Sequence, residues 1–306
     1  MTLSLTKASR DRNVTTPFGT RCPSAFVGRI MRLAARQQRN WLGKRVAFWL
    51  RRQAVRFLDG PVDADVLGVR MRLYPFYNVC ERRILFTPQY FDAEERAAIA
   101  ARIRPGFVFL DIGANVGGYA LSIAALCGPD ARILAVEPQP VVFERLTFNI
   151  AQNGLGNMKA IACAIADIDG EVTLFIDPQN QGQASIKMVA AAQDESARVR
   201  VPAKSLLTLV REERIDHVDA LKLDVVGAED LILEPFLNEA PRSLHPGLIV
   251  VERSGGRWHL DVAAFLTARG YELDFETKLN FVFRRLDLAT GPVASAPTVG
   301  SATPIS

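Results

Sequence analysis

Residues 109–117 read Phe109-Leu110-Asp111-Ile112-Gly113-Ala114-Asn115-Val116-Gly117 and join a short apolar run to a helical pattern. Gly113 and Gly117 allow the backbone to turn sharply and to approach a ligand closely. The apolar run is typical of a buried strand, and Asp111 stands at its end. We therefore predict the first strand–turn–helix unit of a doubly wound sheet, where ligands bind beyond the carboxyl ends of the strands.

Later strand patterns also end in acids. Residues 133–136 are followed by Glu137, which stands 26 residues after Asp111, while residues 220–223 and 248–251 are followed by Asp224 and Glu252. A carboxylate at the position of Glu137 can accept two hydrogen bonds from vicinal ribose hydroxyls. Because parallel strands end at one edge of a sheet, the four acids predict a ligand cleft at that edge. A solvated loop position explains Glu252 equally well.

The glycine spacing separates two kinds of nucleoside cofactor. A dinucleotide site needs GxGxxG, whereas the glycines here are Gly113, Gly117 and Gly118, and Asp111 would repel a pyrophosphate. An acidic turn suits a cofactor with a cationic end, such as S-adenosylmethionine. We predict that the methionine part is held by Asp111, Gly113, Asn115 and Gly117, that Glu137 holds the ribose, and that Pro138 lies near the adenine.

Strand patterns alternate with helical patterns from residue 107 to residue 284, which predicts an α/β fold with a parallel sheet covered on both faces. We expect a Rossmann-like, doubly wound, mostly parallel seven-stranded sheet closed by a hairpin. The predicted parts are a basic helical extension (1–59), a short strand and helix lead-in (60–100), the Rossmann-like domain (101–284) and a disordered tail (285–306). One helix, beginning at Ala228, should end before Pro235, because proline disrupts a helix interior.

Positive charge is concentrated at the N-terminus. Residues 1–59 contain 13 lysines and arginines and two aspartates, in a chain whose net charge is +4. Residues 1–24 are expected to be disordered, and residues 24–58 to be helical, with Gly43 as a candidate break. A basic amphipathic helix can lie on an anionic membrane, which would be a peripheral contact, or it can pack on its own domain with a solvated arginine face. Nucleic acid is not an expected partner, because the charge is confined to one segment.

Cysteine and histidine predict no metal site. The four cysteines show no CxxC pair, and the three histidines form no HxxxH pattern. We expect reduced thiols in a cytoplasmic protein and no metal in the reaction.

A third motif reads Ala220-Leu221-Lys222-Leu223-Asp224-Val225-Val226-Gly227-Ala228-Glu229. Asp224 ends a strand pattern, and Glu229 falls in the first turn of the following helix. Glu229 could assist catalysis or simply compensate charge at the helix N-terminus. The motif places a second acid beside the acceptor edge of the predicted cleft.

Residues 78–283 resemble the FkbM family of methyltransferases, through the strings LDIGANVGGYA, AVEPQPVVFERL and KLDVVGAE. The family usually has an acid where this chain has Val226. The resemblance implies S-adenosylmethionine-dependent O-methylation of a sugar, glycan, polyketide or similar secondary metabolite.

On this interpretation Asp224, helped by Glu229, faces the acceptor and takes the hydroxyl proton. Two alternatives remain. A nucleic-acid or protein N-methyltransferase would share the cofactor half, but the Asp/Asn-Pro-Pro-aromatic string of many base-amino methyltransferases is absent and aromatics are sparse among the arginines. A non-catalytic, membrane-associated Rossmann-like protein would use residues 24–58 as its anchor.

Overall fold

The computed structural model describes residues 16–76, 78–177, 180–185, 198–253, 256 and 258–287. Its helices are α1 (Ala25–Ala35), α2 (Trp41–Val55), α3 (Val79–Phe86), α4 (Ala93–Ala100), α5 (Gly118–Ala124), α6 (Pro140–Ala151), α7 (Leu206–Glu212), α8 (Glu229–Glu239) and α9 (Val262–Thr267). Its strands are β1 (Val62–Val66), β2 (Val69–Leu73), β3 (Val108–Ile112), β4 (Arg132–Val136), β5 (Met158–Ile161), β6 (Ala164–Ile165), β7 (Gly170–Asp177), β8 (Asn180–Ser185), β9 (Arg198–Lys204), β10 (Ala220–Leu223), β11 (Leu248–Glu252), β12 (Tyr271–Glu276) and β13 (Asn280–Arg285).

Seven strands form the central sheet in the order β5-β4-β3-β10-β11-β13-β12. All run parallel except β13, which pairs antiparallel with both β11 and β12. The strand order reverses between β3 and β10, and a crevice forms at such a point beyond the carboxyl ends. This is the Rossmann-like α/β fold that the sequence predicted, including its closing hairpin.

Alternating side chains of the strands enter two separate cores. On β3, Phe109 packs with α5 residues such as Tyr119 and Ile123, whereas Leu110 and Ile112 pack on the other face with residues of α7 and α8. The period of two follows from strand geometry, in which successive side chains point to opposite faces. Both faces of the central sheet are therefore covered by apolar side chains, and a polar site can form only at the strand ends.

Helices α1 and α2 form an antiparallel hairpin that belongs to the first core. Val27, Ile30, Ala54 and Leu58 are buried there together with residues of β1, β2 and α3. The sequence predicted a break near Gly43, but the chain turns at residues 36–40 and Gly43 lies inside α2. A Cβ on Gly43 would lie 2.2 Å from the carbonyl oxygen of Gln38, so the glycine permits close packing against the turn instead of ending a helix.

Part of the segment that was predicted to be disordered is held by a buried ion pair. Arg72 Nε lies 2.6 Å from Asp63 Oδ1. Arg72 also donates to the carbonyl oxygens of Thr16 and Pro17, and the N–H groups of Gly19 and Arg21 donate to Asp63. The prediction of disorder is therefore wrong for residues 16–24, while residues 1–15 and the tail from residue 288 lie outside the described residues.

A second sheet, in the order β6-β9-β7-β8, follows β5. Residues 171–176 fall within the run of alternating patterns that predicted the central sheet, but they belong to β7 of this additional sheet. The predicted end of α8 before Pro235 is also wrong, because the helix continues to Glu239. Burial of Ile232, Leu233, Phe236 and Leu237 spans the proline, and this packing outweighs its cost of about 3 kcal/mol.

Candidate functional site

The turn after β3 has the strained backbone that the glycines suggested. Gly113, Asn115 and Gly117 have φ values of 76°, 52° and 92°. A Cβ on Gly113 would lie 2.0 Å from the carbonyl oxygen of Asp224. Glycine is therefore required at position 113, because the β3 turn and the end of β10 touch through their backbones.

Glu137, which follows β4, holds this turn through a hydrogen bond to its backbone. Its Oε2 accepts the N–H of Asn115 and its Oε1 accepts the N–H of Gln139, both at 2.9 Å. Burial raises the pKa of Glu137 to about 7, although the two N–H groups offset part of that effect. Each oxygen keeps a further acceptor position, so the side chain can still bind two hydroxyl donors.

A buried lysine joins two of the predicted acids. Lys222 Nζ lies 3.3 Å from Asp111 Oδ1 and 3.4 Å from Asp224 Oδ2. Burial alone would lower the pKa of Lys222, but the charges of Asp224 and Asp111 outweigh it and raise the pKa above its usual range. The sequence motif contained Lys222, yet a lysine inside an apolar strand gave no signal of this bridging position.

Asp111 itself is completely buried. Its Oδ2 accepts the N–H of Ala120 in α5. Burial raises the pKa of Asp111, and the charge of Lys222 offsets part of the increase. The carboxylate therefore holds the strand, the helix and Lys222 together, and it does not line the cleft described below.

Asp224 and Glu252 end adjacent strands and interact through their side chains. The Asp224 side chain is 44% exposed. Burial, followed by the charges of Asp224 and Glu229, raises the pKa of Glu252 to about 8. At neutral pH Glu252 thus carries a proton beside Asp224, which makes the pair resemble one negative charge and one hydrogen-bond donor.

Glu229 holds the loop between β10 and α8 through hydrogen bonds to the loop backbone. This side chain is fully buried. Its Oε1 accepts the N–H groups of Val225 and Gly227, and its Oε2 accepts the indole N–H of Trp258 at 2.7 Å. Because Glu229 is fully buried, the structure does not bring it to the cleft, and its hydrogen bonds hold the loop backbone; the catalytic role expected for it stays a prediction.

Val226 has a φ of 57°. A β-branched residue rarely adopts this left-handed conformation, which costs about 1–3 kcal/mol. The hydrogen bonds of Glu229 to Val225 and Gly227 hold the backbone on either side of Val226, which itself lines the cleft.

These elements enclose a cleft with about 600 Å³ of empty space, part of it open to solvent. The lining residues are Ile112, Gly113, Asn115, Val136, Glu137, Pro138, Cys163, Ala164, Ile165, Leu174, Asp224, Val225 and Val226. Of the predicted site residues, Gly113, Asn115, Glu137, Pro138 and Asp224 line it, whereas Asp111, Gly117 and Glu229 support it from behind. Among the described residues this lining contains two carboxylates and no lysine, arginine or histidine, which suits a nucleoside with a cationic end better than a pyrophosphate.

Two features of the site could not be predicted from the sequence. Ile165 and Leu174 come from the second sheet, Cys163 directly precedes its first strand, and together they make one wall of the cleft apolar. Asn78, which caps α3, donates from Nδ2 to Asn115 Oδ1 at 2.9 Å and so ties the lead-in to the cofactor turn.

Within the described part of the chain, no group of three or more histidine, cysteine or acidic side chains could hold a metal ion.

Comparison with known families matches residues 111–273 to the Methyltransferase FkbM domain. These residues run from the acid before the first turn to the first strand of the closing hairpin. They contain the central crevice and every lining residue of the cleft.

Two characterised relatives share part of this sequence. Methyltransferase sdnD of Sordaria araneosa is 30% identical over 152 residues, which cover 41% of this chain and 58% of that protein. Hexuronic acid methyltransferase AglP of Haloferax volcanii is 25% identical over 182 residues, which cover 56% of this chain and 66% of that protein. The matched stretches thus span less than two thirds of either relative.

Solved structures are more distant. The precorrin-6y C5,15-methyltransferase of Geobacter metallireducens is 14% identical, with a TM-score of 0.36 over 63% of this chain and 89% of that one. M. jannaschii TYW2, solved in complex with AdoMet, is also 14% identical, with a TM-score of 0.38 over 75% of this chain and 90% of that one.

Proposed function

This chain belongs to the FkbM methyltransferase family, and from that premise we propose that it transfers a methyl group from S-adenosylmethionine to a hydroxyl of a sugar, glycan or secondary metabolite. The observation that carries the proposal is the cleft at the carboxyl edge of the sheet. It combines an apolar wall, the ribose-type acceptor Glu137 and the half-exposed acid Asp224.

The lining residues fit the parts of this cofactor. Glu137 would hold the ribose, because its two fixed oxygens each retain an acceptor position. Val136, Pro138 and Ile165 would hold the adenine between apolar surfaces. Gly113 and Asn115 would hold the methionine part, with Asp111 and Gly117 as positioning residues that fix the turn.

When bound, S-adenosylmethionine supplies an electrophilic methyl group on a sulfonium, so that transfer forms a C–O bond, breaks a C–S bond and leaves a neutral thioether. Asp224 lies at the open end of the cleft and would take the proton that the acceptor hydroxyl releases. Lys222 holds the Asp224 carboxylate in place from the buried side. Positioning of the two reactants supplies the larger part of such catalysis, up to roughly 7–11 kcal/mol.

Glu252 and Glu229 would act through Asp224. Protonated Glu252 can donate to the Asp224 carboxylate and fix its orientation. Glu229 holds the backbone of the loop that begins with Asp224. The acidic position of the family is occupied here by Val226, which makes the acceptor end of the cleft less polar than three carboxylates would.

The proposal also covers the partners and parts of the chain. The acceptor is a small molecule or glycan, and nucleic acid is not expected, because the part of the cleft lining that the structure describes carries no basic side chain. Residues 24–58 are proposed to make a peripheral membrane contact. The proposed parts of the chain are 1–59, 60–100, 101–284 and 285–306, although β13 extends one residue into the last of them, to Arg285.

Methyl transfer is tested with labelled S-adenosylmethionine and a panel of sugar, glycan and polyketide hydroxyl acceptors. On the acceptor so found, Asp224→Asn should lower turnover by about 10²-fold or more, with cofactor affinity within about twofold of wild type. Val226→Glu should have a smaller effect. Glu252→Gln is the matched control, because it retains an uncharged donor beside Asp224 and should keep most of the turnover below pH 8. Unchanged turnover in Asp224→Asn would remove the role assigned to this strand end.

A further inference from the structure

The outer side of α1 and α2 exposes large aromatic side chains. Five exposed aromatic residues occur among the large exposed apolar residues of the described chain, and all five lie in this hairpin or directly after it: Phe26, Trp41, Phe48, Trp49 and Phe57. Trp41 is 73% exposed and Trp49 is 61% exposed. A soluble protein rarely leaves so many aromatic side chains in water on one small element without a partner for them.

Basic side chains share that side of the hairpin. On α2, Trp41, Arg45, Phe48 and Arg52 follow one another at spacings of four, three and four residues, which places them on one stripe. The inner side carries Gly43, Ala47 and Ala54, all buried. We call the outer stripe of α2, together with the exposed Trp49, the exposed side of α1 and residues 56 and 57, the basic–aromatic face.

Most of the positive charge on this face is not paired within the described chain, although Asp92, Glu94 and Glu95 border it beside Trp41 and Lys44. No acidic residue occurs between Asp11 and Asp59. Eight basic residues of the hairpin are exposed: Arg29, Arg32, Arg36, Arg39, Lys44, Arg45, Arg52 and Arg56. Among described partners, only Arg39 forms an ion pair, with Glu94 at 3.2 Å. Arg45 lies over the ring of Trp41 at 5.2 Å, so cations and aromatic rings alternate in one layer.

The hairpin is fixed to the rest of the protein, so the face has a set orientation. Gln89 Nε2 donates to the carbonyl oxygen of Ala34 at 2.7 Å, and Tyr90 Oη donates to that of Gln38. The rings of Phe48 and Tyr90 also meet edge to face, with centroids 6.3 Å apart. The helices therefore do not need a partner in order to fold, and the exposed aromatics are not a displaced core.

We propose that the basic–aromatic face docks on the surface of an anionic lipid bilayer. Tryptophan and phenylalanine favour the boundary between headgroups and acyl chains, and arginines beside them bind anionic headgroups. The arginines favour a negatively charged surface, and the aromatic rings favour a surface with an apolar layer beneath its headgroups. No described helix is long and apolar enough to cross a membrane, so the hairpin lies in the interface. This docking is independent of the chemistry proposed for the cleft.

Cosedimentation of the full chain with vesicles tests the proposal. Vesicles of phosphatidylcholine with phosphatidylglycerol should bind the protein, and pure phosphatidylcholine should bind it at least about tenfold more weakly. Arg45→Gln/Arg52→Gln and Trp41→Ser/Trp49→Ser should each weaken anionic-vesicle binding by about tenfold or more. Arg200→Gln/Arg211→Gln removes the same charge from exposed positions on β9 and α7 and should leave binding within about twofold.

Circular dichroism and titration with S-adenosylhomocysteine, applied to each variant, separate loss of docking from loss of fold or of the cofactor site. Equal binding to both vesicle types, or tryptophan variants that bind like wild type, would overturn the proposal. Tight binding to a short DNA duplex that depends on the arginines but not on the tryptophans would assign the face to nucleic acid instead and would equally overturn it.

Discussion

Lys222 is the residue that makes the acidic edge compatible with folding. Asp111 is fully buried, and a buried carboxylate without a counter-charge is costly. Lys222 reaches both Asp111 and Asp224, and its ammonium also lies 4.9 Å from the ring centre of Tyr119. The positive charge of Lys222 thus stabilises two carboxylates at neighbouring strand ends, the buried Asp111 and the partly exposed Asp224.

Removing that cation should be strongly destabilising. Lys222→Met leaves Asp111 buried beside one N–H donor, and we expect a loss of about 3–5 kcal/mol in the free energy of unfolding, measured by urea denaturation. Lys159→Met is the matched control, because Lys159 is 58% exposed and pairs with Glu213 at the surface, so its loss should be about 1 kcal/mol or less. Asp111→Asn/Lys222→Met should lose less than the sum of the single variants. A Lys222→Met protein as stable as the control would refute this account of the buried pair.

Glu137 should make cofactor binding depend on pH. Its pKa is about 7 in the free protein, so the carboxylate is protonated below that value and can accept fewer hydrogen bonds from ribose. Affinity for S-adenosylhomocysteine should therefore rise as the pH increases through 7, by up to about tenfold between pH 6 and pH 8, and then level off. Glu137→Gln cannot titrate and should bind more weakly with a flat profile. Calorimetric titration across this range measures both, and a flat wild-type profile would contradict the ribose assignment.

Individual residues also mark the limit of prediction from sequence. Asp111, Glu137, Asp224 and Glu252 were expected at one sheet edge, and their strands are neighbours in the structure. Which of them face the cleft could not be predicted, because a strand end places a side chain near an edge without determining its burial. Glu229 shows the same limit, since its contact with Trp258 joins residues that are 29 positions apart.

At the scale of elements, the turn after β3 is the least replaceable part of the site. Its shape depends on Gly113, whose missing side chain lets the turn touch the backbone of Asp224. The same contact brings the cofactor half and the acceptor half of the cleft together. A sequence pattern can identify such a turn by its glycines, whereas the contact across the crevice needs the folded sheet.

A matched pair of glycine substitutions separates this contact from backbone strain. Gly113→Ala adds a Cβ 2.0 Å from a carbonyl oxygen at a φ of 76°, whereas Gly154→Ala adds one in open space at a φ of 61°. Both should lose about 1 kcal/mol of stability to backbone strain, and Gly113→Ala should lose more than Gly154→Ala, because its Cβ overlaps the carbonyl oxygen of Asp224. Only Gly113→Ala should also lose S-adenosylhomocysteine affinity, by about tenfold or more. If both variants bound the ligand equally well, the backbone contact would not shape the site.

Helices and strands with a clear period were predicted to within a few residues, because hydrophobic periodicity reports burial directly. The additional sheet was missed, since β6 has two residues and β9, although its residues alternate between charged and apolar, contains Pro202, which argues against a strand. Pro235 misled the prediction for α8 because tertiary burial outweighed a local preference. Both failures have the same cause, because the contacts that decide these elements are made with residues far away in the sequence.

In the protein as a whole, acidic and basic side chains are concentrated on different surfaces. The described cleft is lined by acids and the N-terminal hairpin by arginines, although both belong to one folded unit. The sequence left open whether the basic helices pack on their own domain or face a membrane. The structure shows that their inner side packs on the core, which leaves the outer side available for the second role.

The most direct test of the account is isothermal titration of the full chain with S-adenosylhomocysteine and, separately, with NADH. The acid-lined cleft predicts saturable binding of S-adenosylhomocysteine, weakened by at least about tenfold in Glu137→Ala, and no measurable binding of NADH, whose pyrophosphate would face Glu137 and Asp224. Tight NADH binding with no response to S-adenosylhomocysteine would contradict the central claim.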